Sequence, residues 1–145
     1  MSQMTLLKTG RQVSKSTSLA SQGVLFSNCI PYFSTLYLTP LFEMIRRFSQ
    51  NYVAPFIETS PVGKLFSGQS TINNVLQRSF KNRSQMIFSF AYLDAERTRG
   101  ISADKNVIDE IQDMDISFLP VIHETVSASP WKLLQYAGTP KTLDN

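Results

Sequence analysis

Cys29 is the only cysteine in 145 residues, which excludes an internal disulfide framework and a cysteine-rich zinc site. A reducing, cytosolic compartment is the simplest setting for such a chain. No apolar run approaches the ~20 residues that a membrane-spanning helix needs. The opening residues, Met1-Ser2-Gln3-Met4-Thr5, lack the charged-then-apolar layout of a secretion signal. Histidine also occurs once. His123 has no partner cluster in the sequence, so it reads as a surface or helix-packing residue rather than a metal ligand. There is no internal repeat and no low-complexity tract.

The chain is 42% hydrophobic and 17% charged, the balance of a globular domain long enough to bury a core. Its net charge of +3 is unevenly placed. Residues 1–83 carry nine Lys/Arg against two acids, a balance of +7, and residues 84–145 carry five against nine, a balance of −4. A basic half suits a polyanion such as nucleotide or nucleic acid, and an acidic half suits a metal. Ordinary solvated surface accounts for most of these charges equally well. The pair Arg46-Arg47 carries both readings, a contact to DNA phosphates or a solvated helix face.

Apolar segments alternate with helical patterns. Met4-Thr5-Leu6-Leu7 predicts a first strand, followed by a polar loop and a helix over 18–26. Phe33–Leu38 predicts a second strand. Thr39 as cap and Pro40 at the first position predict a helix over about 40–53, with Leu41, Ile45, Phe48 and Tyr52 on its core face and Pro55 ending it. A short helix is expected between about 69 and 80, a turn at 81–84, and a strand at 85–90. Asn106-Val107-Ile108 predicts a buried strand, 118–126 a helix capped by Ser117, and Leu133–Ala137 a last strand. Strands alternating with helices argue for an α/β domain with a mostly parallel sheet sandwiched by helices.

Three strand ends carry polar chemistry. The loop Gly10-Arg11-Gln12-Val13-Ser14-Lys15-Ser16-Thr17 stands between a strand and a helix, where free backbone N–H groups and an ammonium can cradle phosphates. A basic surface turn before a helix is the plainer reading of the same residues. Asp109-Glu110 closes the buried strand, where one carboxylate can serve a metal and the other a water; a simple strand-to-turn exit reads the same way. Gly138-Thr139-Pro140 follows the last strand. Phosphoryl transfer needs a cradle, a metal and an oriented water. Lys15 and the loop amides would supply the cradle, Ser16 and Asp109 would hold Mg²⁺, and Glu110 would deprotonate the water. Arg11 would neutralise charge growing on the γ-phosphate.

Gly10 to Thr17 resembles the deviant Walker A loop of the large terminase subunits of tailed bacteriophages, which commonly reads Arg-Gln-x-x-Lys-Ser/Thr. Val107-Ile108-Asp109-Glu110-Ile111-Gln112-Asp113 is similar to that family's Walker B segment. Arg99-Gly100-Ile101 resembles its lead-in, and Gly138-Thr139-Pro140-Lys141 its coupling motif. The resemblance implies a P-loop NTPase fold of the additional-strand, catalytic-glutamate type. It implies an ATPase that uses ATP and Mg²⁺ to drive double-stranded viral DNA into a procapsid. The implied partners are the portal protein and the small terminase subunit, in a ring of copies within the host cytoplasm. It carries over Arg11, Lys15, Ser16, Asp109, Glu110 and Thr139, with the loop arginine acting in cis and the third motif coupling hydrolysis to movement.

The sequence departs from the family pattern in two ways. Glycines usual at positions 9 and 14 are replaced by Thr9 and Ser14. A nuclease domain and the adenine-binding segment before the loop are not in these 145 residues. The expectation is a partial ATPase domain over 1–145 with weak or no turnover when isolated. A helicase-like nucleic-acid ATPase and a non-catalytic remnant acting only by interaction are the alternative expectations.

Overall fold

A computed structural model describes residues 4–8, 15–59, 76–90, 102–113, 117 and 119–138, with residues 4–8 and 16 as backbone only. Along the chain run β1 (Met4–Lys8), α1 (Lys15–Cys29), β2 (Ser34–Thr39), α2 (Phe42–Phe48), a π turn (Ser49–Val53) and α3 (Ala54–Thr59). They are followed by β3 (Gln77–Ser79), β4 (Gln85–Phe90), β5 (Lys105–Ile108), a 3-10 turn (Ile111–Asp113), α4 (Leu119–Glu124) and β6 (Leu133–Gly138). The sheet order is β1-β6-β5-β2-β4-β3. All pairings are parallel except that of β3, which lies antiparallel at the edge beside β4.

Every residue of β2 and β5 is buried. That is the mark of central parallel strands covered on both faces. The two-residue period then sorts side chains into two cores. Tyr37, Phe88, Val107 and Ala137 face α1 and α2, packing with Leu19, Ala20, Val24, Ile45 and Phe48. Leu36, Leu38, Ile108 and Tyr136 face the other way, onto Ile122 and Val126. The result is a three-layer sandwich, as the alternating pattern predicts. His123 packs in it as expected, sharing a short hydrogen bond with the Tyr136 hydroxyl. Among the described residues no helix is long and apolar enough to cross a membrane.

Five local expectations need correction. Thr39 does not cap a helix: it is the last residue of β2, buried, and its hydroxyl donates to the Leu41 carbonyl at 2.9 Å. The helix starts at Phe42, and Leu41 is exposed rather than in the core. Pro55 does not end the helical segment but sits second in α3. A π turn precedes it, with the Ala54 N–H reaching back to the Ser49 carbonyl, and this widened turn carries the continuous helix past the proline. Residues 77–79, expected in a short helix, form strand β3. Burial of Arg78 overrides local propensity there: its guanidinium donates to the Ser49 carbonyl at 3.1 Å, tying β3 to the π turn. The first helix begins at Lys15 and runs to Cys29, longer at both ends than expected.

Lys105 enters β5 at the end of the sheet opposite Asp109, 5% exposed, its ammonium 4.6 Å from the Phe26 ring centre. Burial lowers its pKa from 10.5 to about 8. The unfolded chain therefore holds a proton that the folded chain releases between those values, so stability rises with pH across that window. Lys105 should contribute a rise of about 2 kcal/mol between roughly pH 7 and 9.5. Urea unfolding of Lys105→Met should lack that rise; an equally steep rise in the variant would contradict the assignment.

Candidate active site

Because β1, β6, β5 and β2 are parallel, their C-terminal ends share one edge of the sheet, where ligands bind in open α/β folds. Asp109 follows β5 and extends its ladder by one bond, its N–H donating to the Leu38 carbonyl at 2.9 Å. Its carboxylate is almost fully buried. Oδ2 accepts the Tyr37 hydroxyl at 2.6 Å, while Oδ1 accepts the Glu110 N–H at 2.9 Å and faces Lys15 Nζ at 3.0 Å. Burial, then the charge of Asp109, pushes the Tyr37 hydroxyl well above the usual tyrosine range. It thus stays protonated and remains a donor.

Glu110 has φ 54°, a left-handed conformation that costs a non-glycine residue of order 1 kcal/mol or more. The kink turns its carboxylate back over the strand end. Oε1 accepts Lys15 Nζ at 2.8 Å, and Oε2 accepts the Gln112 amide at 2.5 Å. Lys15 is the first residue of the fifteen-residue helix α1. Burial pulls its pKa down, but the hydrogen bond to Glu110 and the charge of Asp109 outweigh that and hold it above the usual value.

The structure thus brings together Lys15, Asp109 and Glu110, three of the residues singled out in the sequence. The backbone of Ser16 follows Lys15 in α1, and Thr17 is exposed on the same helix. Gly138 ends β6, paired with Lys8 of β1. Gly10, Arg11, Gln12, Val13, Ser14, Thr139 and Pro140 lie outside the described residues. Arg46 and Arg47 are exposed in the last turn of α2. Two residues carry roles that sequence reasoning missed. Tyr37 had only an aromatic position in a buried strand to announce it, and Gln112 only a polar side chain two residues past Glu110.

The donor set fits a polyphosphate with magnesium. An ammonium at the head of a long helix favours anions, and Mg²⁺ usually takes one or two carboxylates plus phosphate oxygens and waters. Asp109 is the buried carboxylate in place for it. Among the described residues no group of three His, Cys, Asp or Glu side chains forms an all-protein metal cage.

The strand order sets the fold class. A strand, β6, is inserted between β1, which precedes the Lys15 helix, and β5, which ends in Asp109-Glu110. This is the additional-strand P-loop fold. No family model and no curated protein sequence matches the chain. Solved structures do. The large terminase of a thermophilic bacteriophage superposes with a TM-score of 0.75 at 11% identity, over 95% of this chain and 34% of that one. The large terminase ATPase domain of Thermus phage P74-26 gives 0.74 at 17% identity, over 97% and 61%. The bacteriophage Phi-29 genome packaging motor assembly gives 0.65 at 11% identity, over 99% and 45%. The first of these terminases has also been solved with ADP and with ATP-γ-S. At these identities the likeness establishes the fold that terminase ATPase domains share. The chain spans between about a third and three fifths of these matched chains.

Proposed function

We propose that the chain is an ATP-hydrolysing domain of a viral DNA-packaging motor. The observation that carries this reading is the cluster itself: a lysine at the head of the helix after β1 meets adjacent aspartate and glutamate at the end of β5. Lys15 would pair the outer phosphates, assisted by the α1 N-terminus. Asp109, held by Tyr37, would bind Mg²⁺ with Ser16; when bound, the ion neutralises phosphate charge. Glu110 would orient the attacking water and take its proton. Arg11 would offset charge at the γ-phosphate, and Gly138-Thr139-Pro140 would couple hydrolysis to movement. The likeness to the Phi-29 viral genome packaging motor assembly supports a packaging-motor setting; a place at the procapsid portal in the host cytoplasm is part of the proposal. The chain would act there as a ring of copies, with double-stranded DNA, portal protein and small terminase subunit as partners.

The test is MgATP turnover by the chain, alone and with portal and double-stranded DNA. Slow turnover alone, raised at least about tenfold by portal and duplex, is expected. Stimulation by single strands only would point to a helicase-like ATPase. Binding with no turnover under any condition would point to a non-catalytic interaction protein. Either outcome overturns the proposal.

A further inference from the structure

We propose that Gln112 is a positioning residue for Glu110, and that Gly138 at the end of β6 makes the room it needs. The proposal rests on the ATPase reading above and adds to it a route by which β6 acts on the reacting carboxylate.

The two oxygens of Glu110 are held from different elements. Oε1 is held from α1 by Lys15, and Oε2 from the 3-10 turn by the Gln112 amide. Lys15 is also the residue placed to pair a polyphosphate, so a bound nucleotide competes with Glu110 for it. Gln112 does not share that duty, so its contact is free to hold Glu110 while Lys15 turns to a phosphate. A hydrogen bond from an amide N–H aims one carboxylate oxygen and leaves the other for a water.

The Gln112 amide in turn occupies the space that a side chain at 138 would fill. A Cβ built on Gly138 would lie 2.5 Å from Gln112 Oε1 and 3.1 Å from Ile111 Cγ2. Gly138 lies in a strand, paired with Lys8, so no left-handed backbone demands glycine there. What demands it is the side-chain amide pressed against it. That amide is the end of a flexible side chain, so a methyl at 138 can displace it at little cost in stability. Displacement turns Nε2 away from Glu110, however. The end of β6 and the aim of Glu110 are therefore linked through one amide, and a shift of β6 as small as a methyl radius reaches the site.

Gln112→Ala, Gly138→Ala, the double variant and Glu110→Gln are compared in the full chain. The readouts are single-turnover hydrolysis, affinity for a fluorescent ATP analogue, urea unfolding, and exchange of the Gln112 side-chain amide in the nucleotide-free protein. Gln112→Ala should slow hydrolysis about 10- to 100-fold, the loss expected of a reacting group misplaced by about an ångström. Affinity should stay within about twofold. Gly138→Ala should slow hydrolysis about tenfold with near-normal unfolding and should remove exchange protection of the Gln112 amide. The double variant should be no slower than Gln112→Ala, because both changes act through the same contact. Gln112→Glu keeps the side-chain volume and loses the donor, so it should be slow as well. Unchanged rates in the single variants, with Glu110→Gln still inactive, would overturn this inference alone. So would strictly additive losses, or a protected Gln112 amide in Gly138→Ala. Full turnover in Glu110→Gln would overturn the ATPase reading and this inference with it.

Discussion

Lys15→Met is expected to lower the stability of the nucleotide-free chain by about 2–4 kcal/mol, as measured by urea unfolding. Lys15 pairs with Asp109 at 3.0 Å and Glu110 at 2.8 Å, with side-chain exposures of only 10%, 6% and 26% for the three residues. Breaking a buried pair from one side costs about 3–5 kcal/mol because the remaining charge stays desolvated. The greater exposure of Glu110 reduces that figure, since water can reach it. The Tyr37 hydroxyl and the Glu110 N–H still serve Asp109, but neither carries a charge. The pair Lys15→Met with Asp109→Asn should recover most of the loss, since it removes the stranded charge as well as its partner. A change under about 0.5 kcal/mol in the single variant would mean that the cluster holds nothing together.

Glu110→Gln is expected to cut hydrolysis about 10²- to 10⁴-fold, the usual contribution of a general base. Nucleotide affinity should change little. A glutamine keeps the shape and the left-handed backbone but cannot take the proton from water. Binding measured with a fluorescent ATP analogue, beside single-turnover rates, separates the two effects. A variant that binds and hydrolyses normally would remove Glu110 from the chemistry. The contrast with Lys15→Met is informative: one carboxamide swap should spare the fold and stop turnover, while the lysine swap should weaken both.

Much of this was legible in the sequence because the physics is local. Strands inside a parallel sheet are mostly apolar, so Phe33–Leu38, 85–90 and Asn106–Ile108 stand out, each within one residue of β2, β4 and β5. Asp109-Glu110 stands out because two carboxylates close such a run, and Lys15 because an ammonium followed by a hydroxyl ends a polar loop between a strand and a helix. What was not legible depends on contacts distant in sequence. Nothing near Arg78 says that its guanidinium will be buried against Ser49 and draw 77–79 into a strand. Nothing near Pro55 announces the widened turn that carries the helix past it. Tyr37 meets Asp109 across 72 positions, and Gly138 meets Gln112 across the sheet edge. Such pairings are fixed by strand order, which no single segment encodes.

Calorimetric titration of MgATP into the chain, with Lys15→Met as the matched control, tests most directly whether the Lys15–Asp109–Glu110 cluster is a nucleotide site. Saturable binding near one nucleotide per chain is predicted, lost by at least about a hundredfold in a Lys15→Met variant that remains folded. The same affinity in both proteins, or no binding to the unaltered chain, would contradict it.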